Sequence, residues 1–222
     1  MSKPLPEAID GIKVVEFGQN LAGPYCGQIL AFLGADVVKV ERPEGDDARK
    51  WGPPFVEGDA AELHRAQPRQ EVDHLRSRRQ GRARGSDRAH RRGGHLRAQS
   101  AGPTCRPSSA STAPTLTKRF PRLIYADLGA FGHVGPWKER PGYEPIIQAV
   151  AGLDLAERRS RPGPEARIGV SIIDLSTGMW TAIGVLAALA QRTATGRGSL
   201  VNTSLFESGL MWASNHVAVA TR

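Results

Sequence analysis

Between residues 12 and 42 the apolar positions change period twice. IKVVEF (12–17) is a short run rich in β-branched residues, as a buried strand requires. The loop GQNLAGP then supplies Gly and Pro where a chain turns sharply. In CGQILAFLGAD, Ile29, Leu30, Phe32 and Leu33 fall at helical spacing, and Gly34 is the stop signal. VVKVER (37–42) returns as a second buried strand. Such a strand–loop–helix–strand unit predicts a parallel crossover with its ligand near the strand C-termini. Farther on, RLIYADLGAFG reads as a buried strand ending in a Gly-rich loop. IGVSII reads as another apolar strand, and STGMWTAIGVLAAL as a long helical run. The predicted class is α/β with an open, mostly parallel sheet.

Residues 62–112 break the pattern. They contain no Ile, Phe, Tyr, Trp or Met and show neither helical nor strand periodicity. They hold 12 Arg, no Lys and 4 acidic residues, a surplus of 8 that equals the whole chain's net charge of +8. The remainder is neutral, so the basicity is local and not a property of the fold. With so little apolar surface to offset chain entropy, the segment is expected to have no stable packing, leaving a gap where a strand and helix belong. Three explanations compete: an Arg-rich nucleic-acid arm, a disordered linker, or a stretch read in the wrong frame.

At 222 residues the chain can form one sizeable domain or part of a larger one. No apolar run approaches a membrane span, and MSKPLPEAID lacks the apolar core of a signal peptide, so a cytoplasmic setting is expected. Cys26 and Cys105 form neither a metal spacing nor a disulfide framework, and Cys26 reads as a small buried helix residue. Neither GxGxxG nor GxxxxGK[ST] occurs in the first loop, which leaves dinucleotide and P-loop readings unsupported. His133 and His216 show no ligand spacing and are assigned to structure.

The string DGIKVVEFGQNLAGPYCGQILAFLGADVVKVERPEGDD, with AGP, LGADV and KVERP at fixed offsets, resembles the N-terminus of the family III (CaiB/BaiF) CoA-transferases, the group containing formyl-CoA and carnitine CoA-transferases. The resemblance resumes at Ala113. GHVGPWKERPGYEPIIQAVAGL, IGVSIIDLSTGMWTAIGVLAALAQR and TGRGSLVNTSLFESGL each follow a family string in order. Under permitted codon choices, 67–75 read one base later gives NRGKKSIT, close to the family's NRxKxSI(x)LDL. In the same way 91–99 gives AEVVIFEHN, close to ADVVVENF, and 153–163 gives ISLNGDPGR. Three such coincidences favour a frameshift over a linker or a nucleic-acid arm. The division expected is 1–61 as the N-terminal strand–helix–strand part, 62–112 as the out-of-frame or disordered segment, and 113–222 as the continuation. The resemblance stops at Arg222, partway through a usual family member, so the Rossmann-like large domain is expected to be incomplete.

The resemblance also implies a chemistry. Asp174 aligns with the family's nucleophile. Read from the residues alone, it lies between an apolar strand and a helix, where backbone N–H groups and the helix dipole favour a carboxylate anion. The same position suits an ordinary N-cap aspartate. Tyr143 and Glu144, in RPGYEP, align with acyl-pocket positions, against the plain reading of a buried Tyr and a surface Glu. Arg42 aligns with a CoA-phosphate contact, against a surface Arg paired with Glu41, Glu44 or Asp46. Asn20 and Leu21 align with loop positions meeting the pantetheine and acyl end. The related acyl-CoA racemases carry a catalytic His followed by Asp where this chain has Tyr143 and Glu144, which counts against proton transfer at an α-carbon.

The resemblance thus implies acyl-CoA and a small carboxylic acid as substrates, no permanently bound cofactor or metal, no nucleic acid and no membrane. It also implies an interlocked homodimer, whose closure needs segments beyond this chain. The competing reading is an inactive product of a disrupted gene. With the CoA-contacting segments scrambled, the chain as written is expected to be a poor or inactive transferase.

Overall fold

The computed structural model describes residues 8–42, 44–56, 59–60, 71–74, 95–98, 113–154 and 167–220. The opening unit forms as its periodicity predicts: β1 (Lys13–Glu16), α1 (Ala22–Phe32) and β2 (Asp36–Glu41), with β1 and β2 parallel and Lys13 opposite Asp36. Leu33 caps α1, and Gly34 follows at φ +106, a conformation L side chains rarely adopt, donating its N–H to Ala31 O. After β2 come a 3-10 turn (Asp47–Lys50) and a small antiparallel pair, β3 (Phe55–Val56) and β4 (Asp59–Ala60).

Strands β5 (Glu71–His74) and β6 (His95–Ala98) follow, then α2 (Ala113–Arg119), β7 (Tyr125–Gly129) and α3 (Glu144–Ala151). The chain continues with α4 (Ile172–Thr195), β8 (Leu200–Ser204) and α5 (Leu205–Ala220). The main sheet has the order β5-β2-β1-β6-β7-β8, with every pair parallel. The order reverses between β1 and β6, and in open parallel sheets ligands bind at the strand C-termini beside such a reversal. That point is the loop after β1.

The expected gap is not there. β5 pairs with β2, and β6 fills the slot between β1 and β7, so both strands lie inside 62–112. EVDH and HLRA lack the apolar runs usual in parallel strands. For β6 the reason is the backbone: an empty slot would leave N–H and C=O groups of β1 and β7 unpaired, whereas β5 is an edge strand on β2. The rest of 62–112, with Cys105 and the place of the expected helix, and residues 155–163 of the third frame coincidence lie outside the described residues.

A second expectation fails at IGVSII. Residues 168–171 form no strand, and α4 begins at Ile172, with Ile172 N–H bonded to Val170 O in a tight turn. A short apolar run does not distinguish a buried strand from a helix start, and here Ile173 belongs to the buried face of α4.

Helix α4 is also long and apolar enough to cross a membrane by length and composition. This corrects the expectation that no apolar run approaches a membrane span: Ser, Thr and Gly punctuate the helix without lowering its mean hydropathy below that of a span. Those residues are part of the face it buries in the protein, with Ser176, Thr177, Gly178 and Thr181 all buried.

Among the described residues the core has two larger apolar clusters and a smaller third one of Leu116, Leu123 and Tyr125 between α2 and β7. Val14, Cys26, Leu30, Val37, Ile124, Ala126 and Val185 join the sheet to α1 and α4. Ala22, Leu128, Ala130, Ile147, Ile173 and Leu205 join the N-termini of α1 and α4 to the C-terminal end of β7. The second cluster lies directly beneath the candidate site.

Candidate active site

The loop after β1 ends in Asn20, which has φ +66 and is the one non-glycine at positive φ among the described residues. Asn tolerates this region better than most residues. Its N–H donates to Asp46 Oδ1 at 2.9 Å, so the turn is held from the far side of β2. Leu21 follows as the buried N-cap residue of α1, with no side-chain capping bond. Arg42, immediately after β2, donates from Nε to Gly45 O and pairs with Asp47 at 2.9 Å, with its side chain 40% exposed. Asp47 is thus a surface partner of Arg42 that the sequence did not suggest.

Asp174 stands in the first turn of α4, two residues past the helix's first. It is not the N-cap: that position is Ser171, whose side chain makes no capping bond. The capping is done from another helix. Glu144, at the start of α3 and 4% exposed, accepts from Ile173 N–H through Oε1 (3.2 Å) and from Asp174 N–H through Oε2 (2.7 Å). Gln148, one turn along α3, donates Nε2 to Glu144 Oε1 at 2.7 Å and accepts from Ile168 N–H at 2.9 Å. Glu144 is thus buried, not a surface residue, and it takes the N–H groups expected to serve Asp174.

The electrostatic outcome reverses another expectation. Burial first, then the neighbouring Glu144 charge, push the Asp174 carboxyl up from 3.8 to about 7, with Arg167 pulling the other way. A carboxylate titrating near neutrality is more basic than an ordinary aspartate, and its charge is poorly compensated. Those are useful properties in a nucleophile that must attack a carbonyl. Tyr143 is the N-cap of α3, half-exposed, and sits one residue before Glu144.

Close packing brings the two helix starts together. A Cβ at Gly178, one turn beyond Asp174, would lie 2.6 Å from Ala22 O and 3.1 Å from the Tyr25 ring. Only a glycine lets α4 approach the first turn of α1 this closely. Leu21 and Asp174 therefore flank one region at the C-terminal side of the sheet, with Glu144 beneath Asp174 and Arg42 at the end of β2. Sequence reasoning missed Gln148, Arg167, Gly178 and Asp46. Of these, Asp46, Gln148 and Gly178 stand within quoted family strings, GDD, EPIIQAV and STG, and had a signal. His133 lies 3.9 Å from Asp127 on the surface, away from these residues' contacts.

Known proteins share this fold and part of this sequence. The profile of CoA-transferase family III matches residues 9–72 and 103–222. A succinate–glutarate CoA-transferase of Agrobacterium fabrum is 31% identical, over 90% of this chain and 51% of its own length. The human succinyl-CoA:glutarate CoA-transferase is 29% identical, over 95% of this chain and 48% of its own. Among solved structures, a CaiB/BaiF family protein from Brucella suis superposes with a TM-score of 0.82 at 33% identity, covering 97% of this chain and 57% of that one. The chain therefore spans about half the length of the relatives it matches.

Proposed function

Because the chain belongs to CoA-transferase family III, we propose that its site serves the transfer of CoA from an acyl-CoA to a carboxylic acid, with Asp174 as the nucleophile. The observation that carries this is a part-buried Asp174, its carboxyl pushed up to about 7 beside Glu144, on a helix whose Gly178 packs against the first turn of α1. The Asp174 carboxylate attacks the donor thioester carbonyl, and the C–S bond breaks to give a mixed anhydride and CoA thiolate. The thiolate attacks the aspartyl carbonyl, leaving an enzyme thioester and the donor's carboxylate. The acceptor carboxylate attacks that thioester, forming a second anhydride and freeing the thiolate again. Attack of the thiolate on the acceptor's acyl carbon yields the new acyl-CoA and restores Asp174. Acyl energy is kept in covalent bonds throughout, so water must be excluded but no redox partner is needed.

Arg42 is assigned to the CoA phosphates, Asn20 and Leu21 to the pantetheine arm, and Tyr143 to the acceptor acid. Dicarboxylic acids are the first substrates to try, since the relatives act on succinyl-CoA and glutarate by name.

We further propose that residues 62–112 are read out of frame and that transfer by this chain is impaired. Two facts support this reading. The family match breaks between 72 and 103, and β6, well inside that break, falls where the shifted reading of 91–99 restores an apolar strand. Holding CoA so that its thiolate returns to one carbonyl is worth several kcal/mol, up to about 7–11 in the best intramolecular cases, and scrambled contacts forfeit part of it.

The test uses succinyl-CoA and glutarate. It compares the chain as written, a frame-restored chain completed to the relatives' length, and that chain carrying Asp174→Ala. Transfer is expected only from the second. Robust transfer by the Ala variant would remove Asp174 from its role, and robust transfer by the chain as written would remove the impairment.

A further inference from the structure

Beneath the loop that follows β1 lies a cluster of charges with no part in the transfer steps. Lys39, in the middle of β2, is fully buried. Its Nζ meets Glu16 Oε2 at 3.2 Å and Asp46 Oδ2 at 3.0 Å, and donates to the backbone oxygen of Gly18 at 2.9 Å. Asp46 in turn accepts from Asn20 N–H at 2.9 Å and Ala48 N–H at 3.0 Å through Oδ1. Its own N–H donates to Glu41 Oε2, and Glu41 is clamped by Arg49 at 2.8 Å.

Burial alone would strip the Lys39 proton, but Glu16 and Asp46 outweigh it and hold the ammonium above the ordinary lysine value. Ion pairs buried this way return little net stability over an apolar trio of similar volume. What an apolar trio could not supply is the pair of directed bonds to the loop, one to Gly18 O and one from Asn20 N–H. They grip the backbone on either side of Gln19 and hold Asn20 in the left-handed region.

We propose that Glu16, Lys39 and Asp46 form a positioning device that fixes the Gly18–Leu21 backbone in one conformation at the start of α1, as a seat for acyl-CoA. The assignment of that seat to CoA rests on the function proposed above. The fixing of the loop stands on the contacts alone.

Amide hydrogen exchange on the chain as it exists separates the two. In Asp46→Ala, the Asn20 amide should exchange at least about tenfold faster, while amides of β1 and β2 keep their protection. Asp46→Asn retains an oxygen acceptor and should restore slow Asn20 exchange to within about threefold of the parent. Unchanged Asn20 exchange in the Ala variant would overturn the proposal, and so would acceleration spread evenly over β1, β2 and the loop, which marks mere scaffolding. Calorimetric titration with coenzyme A should show weaker binding by Asp46→Ala, again rescued by Asn. Equal affinity with a loosened loop would also overturn the seat. If the parent itself binds no CoA, the proposed function fails for this chain, and the exchange pattern still decides whether the cluster holds the loop.

Discussion

The protein buries carboxylates at both sides of its candidate site and treats them in opposite ways. Below the first loop, Glu16 and Asp46 share Lys39, and Glu41 has Arg49, so each acid touches a cation within 3.2 Å. Below α4, Glu144 and Asp174 are neighbours of like sign, with Arg167 the opposing charge on Asp174 among the described residues. The first arrangement commits its charges to geometry, although burial still pushes Glu16 above the ordinary carboxylate value against the pull of Lys39. The second leaves one carboxylate strained towards protonation in contact with the site. The contrast shows why a buried acid is no sign of catalysis by itself: what matters is whether its charge is already answered.

The largest effect should come from breaking the answered cluster. Lys39→Met removes the cation between two buried carboxylates and keeps the volume. It should cost about 3–5 kcal/mol in a urea titration, because the remaining charges have no partner. A loss under about 1 kcal/mol would mean that the cluster takes up a proton or water freely, and the comparison would fall.

Next is the unanswered acid. Its native pKa of about 7 lies above the 3.8 of the unfolded chain, so the native state binds the extra proton between those limits. The stability this proton confers is fully present below about pH 4 and is lost as pH rises through 7. Asp174→Asn does not titrate, so its stability relative to the parent should climb from pH 4 to 8. At about 1.36 kcal/mol per pKa unit the ceiling is roughly 4 kcal/mol, and water contact at a part-buried side chain reduces the expected gain to about 2. A flat difference across that range would show that Asp174 is an ordinary aspartate. In a transferring enzyme, kcat/KM should rise through the same pH, and Glu144→Gln should move the rise to lower pH by removing the like charge.

Much of this architecture was legible beforehand, and the exceptions have physical causes. β1, α1 and β2 announce themselves because their periods are unmixed and Gly34 punctuates them. Lys39 did not, because one Lys within VVKVE looks solvent-facing until the strand is known to be covered on both faces. The cap of α4 was invisible because it comes from Glu144, 29 and 30 residues before the amides it accepts from, while the sequence offered Asp174 itself. β5 and β6 were missed because their residues carry no strand pattern, and for β6 its neighbours' unpaired backbone is what recruits it. Asp174, Arg42, Asn20 and Leu21 stood out through family strings, not through any local signal.

The approach of the two helix starts gives a smaller, sharper test. Gly178→Ala gains about 1 kcal/mol of helix propensity but forces a methyl against Ala22 O, an overpacking cost of about 1–3 kcal/mol. The net loss should be near 1 kcal/mol. Gly184→Ala, on the same helix, meets the Val201 side chain instead of backbone, and a rotamer change relieves it. Thermal unfolding should therefore rank Gly178→Ala below Gly184→Ala. The reverse order would separate Asp174 from the α1 loop as a packing unit.

The smallest effect on stability should be the most telling about ligand. Arg42 and Asp47 form an ion pair with both side chains 40% or more exposed, so water screens it and Arg42→Ala should cost under about 1 kcal/mol. If the guanidinium is kept at the end of β2 for the phosphates of CoA, its loss should weaken coenzyme A binding about tenfold, since charge-assisted contacts to phosphate are the strong ones. Pantetheine has the same arm and thiol without the phosphates, and its binding should not change. Calorimetry on parent and variant with both ligands makes the distinction. An equal loss for CoA and pantetheine would mean that Arg42 shapes the loop and does not meet the phosphates. No loss for either would return it to the surface pair that its contact with Asp47 already makes.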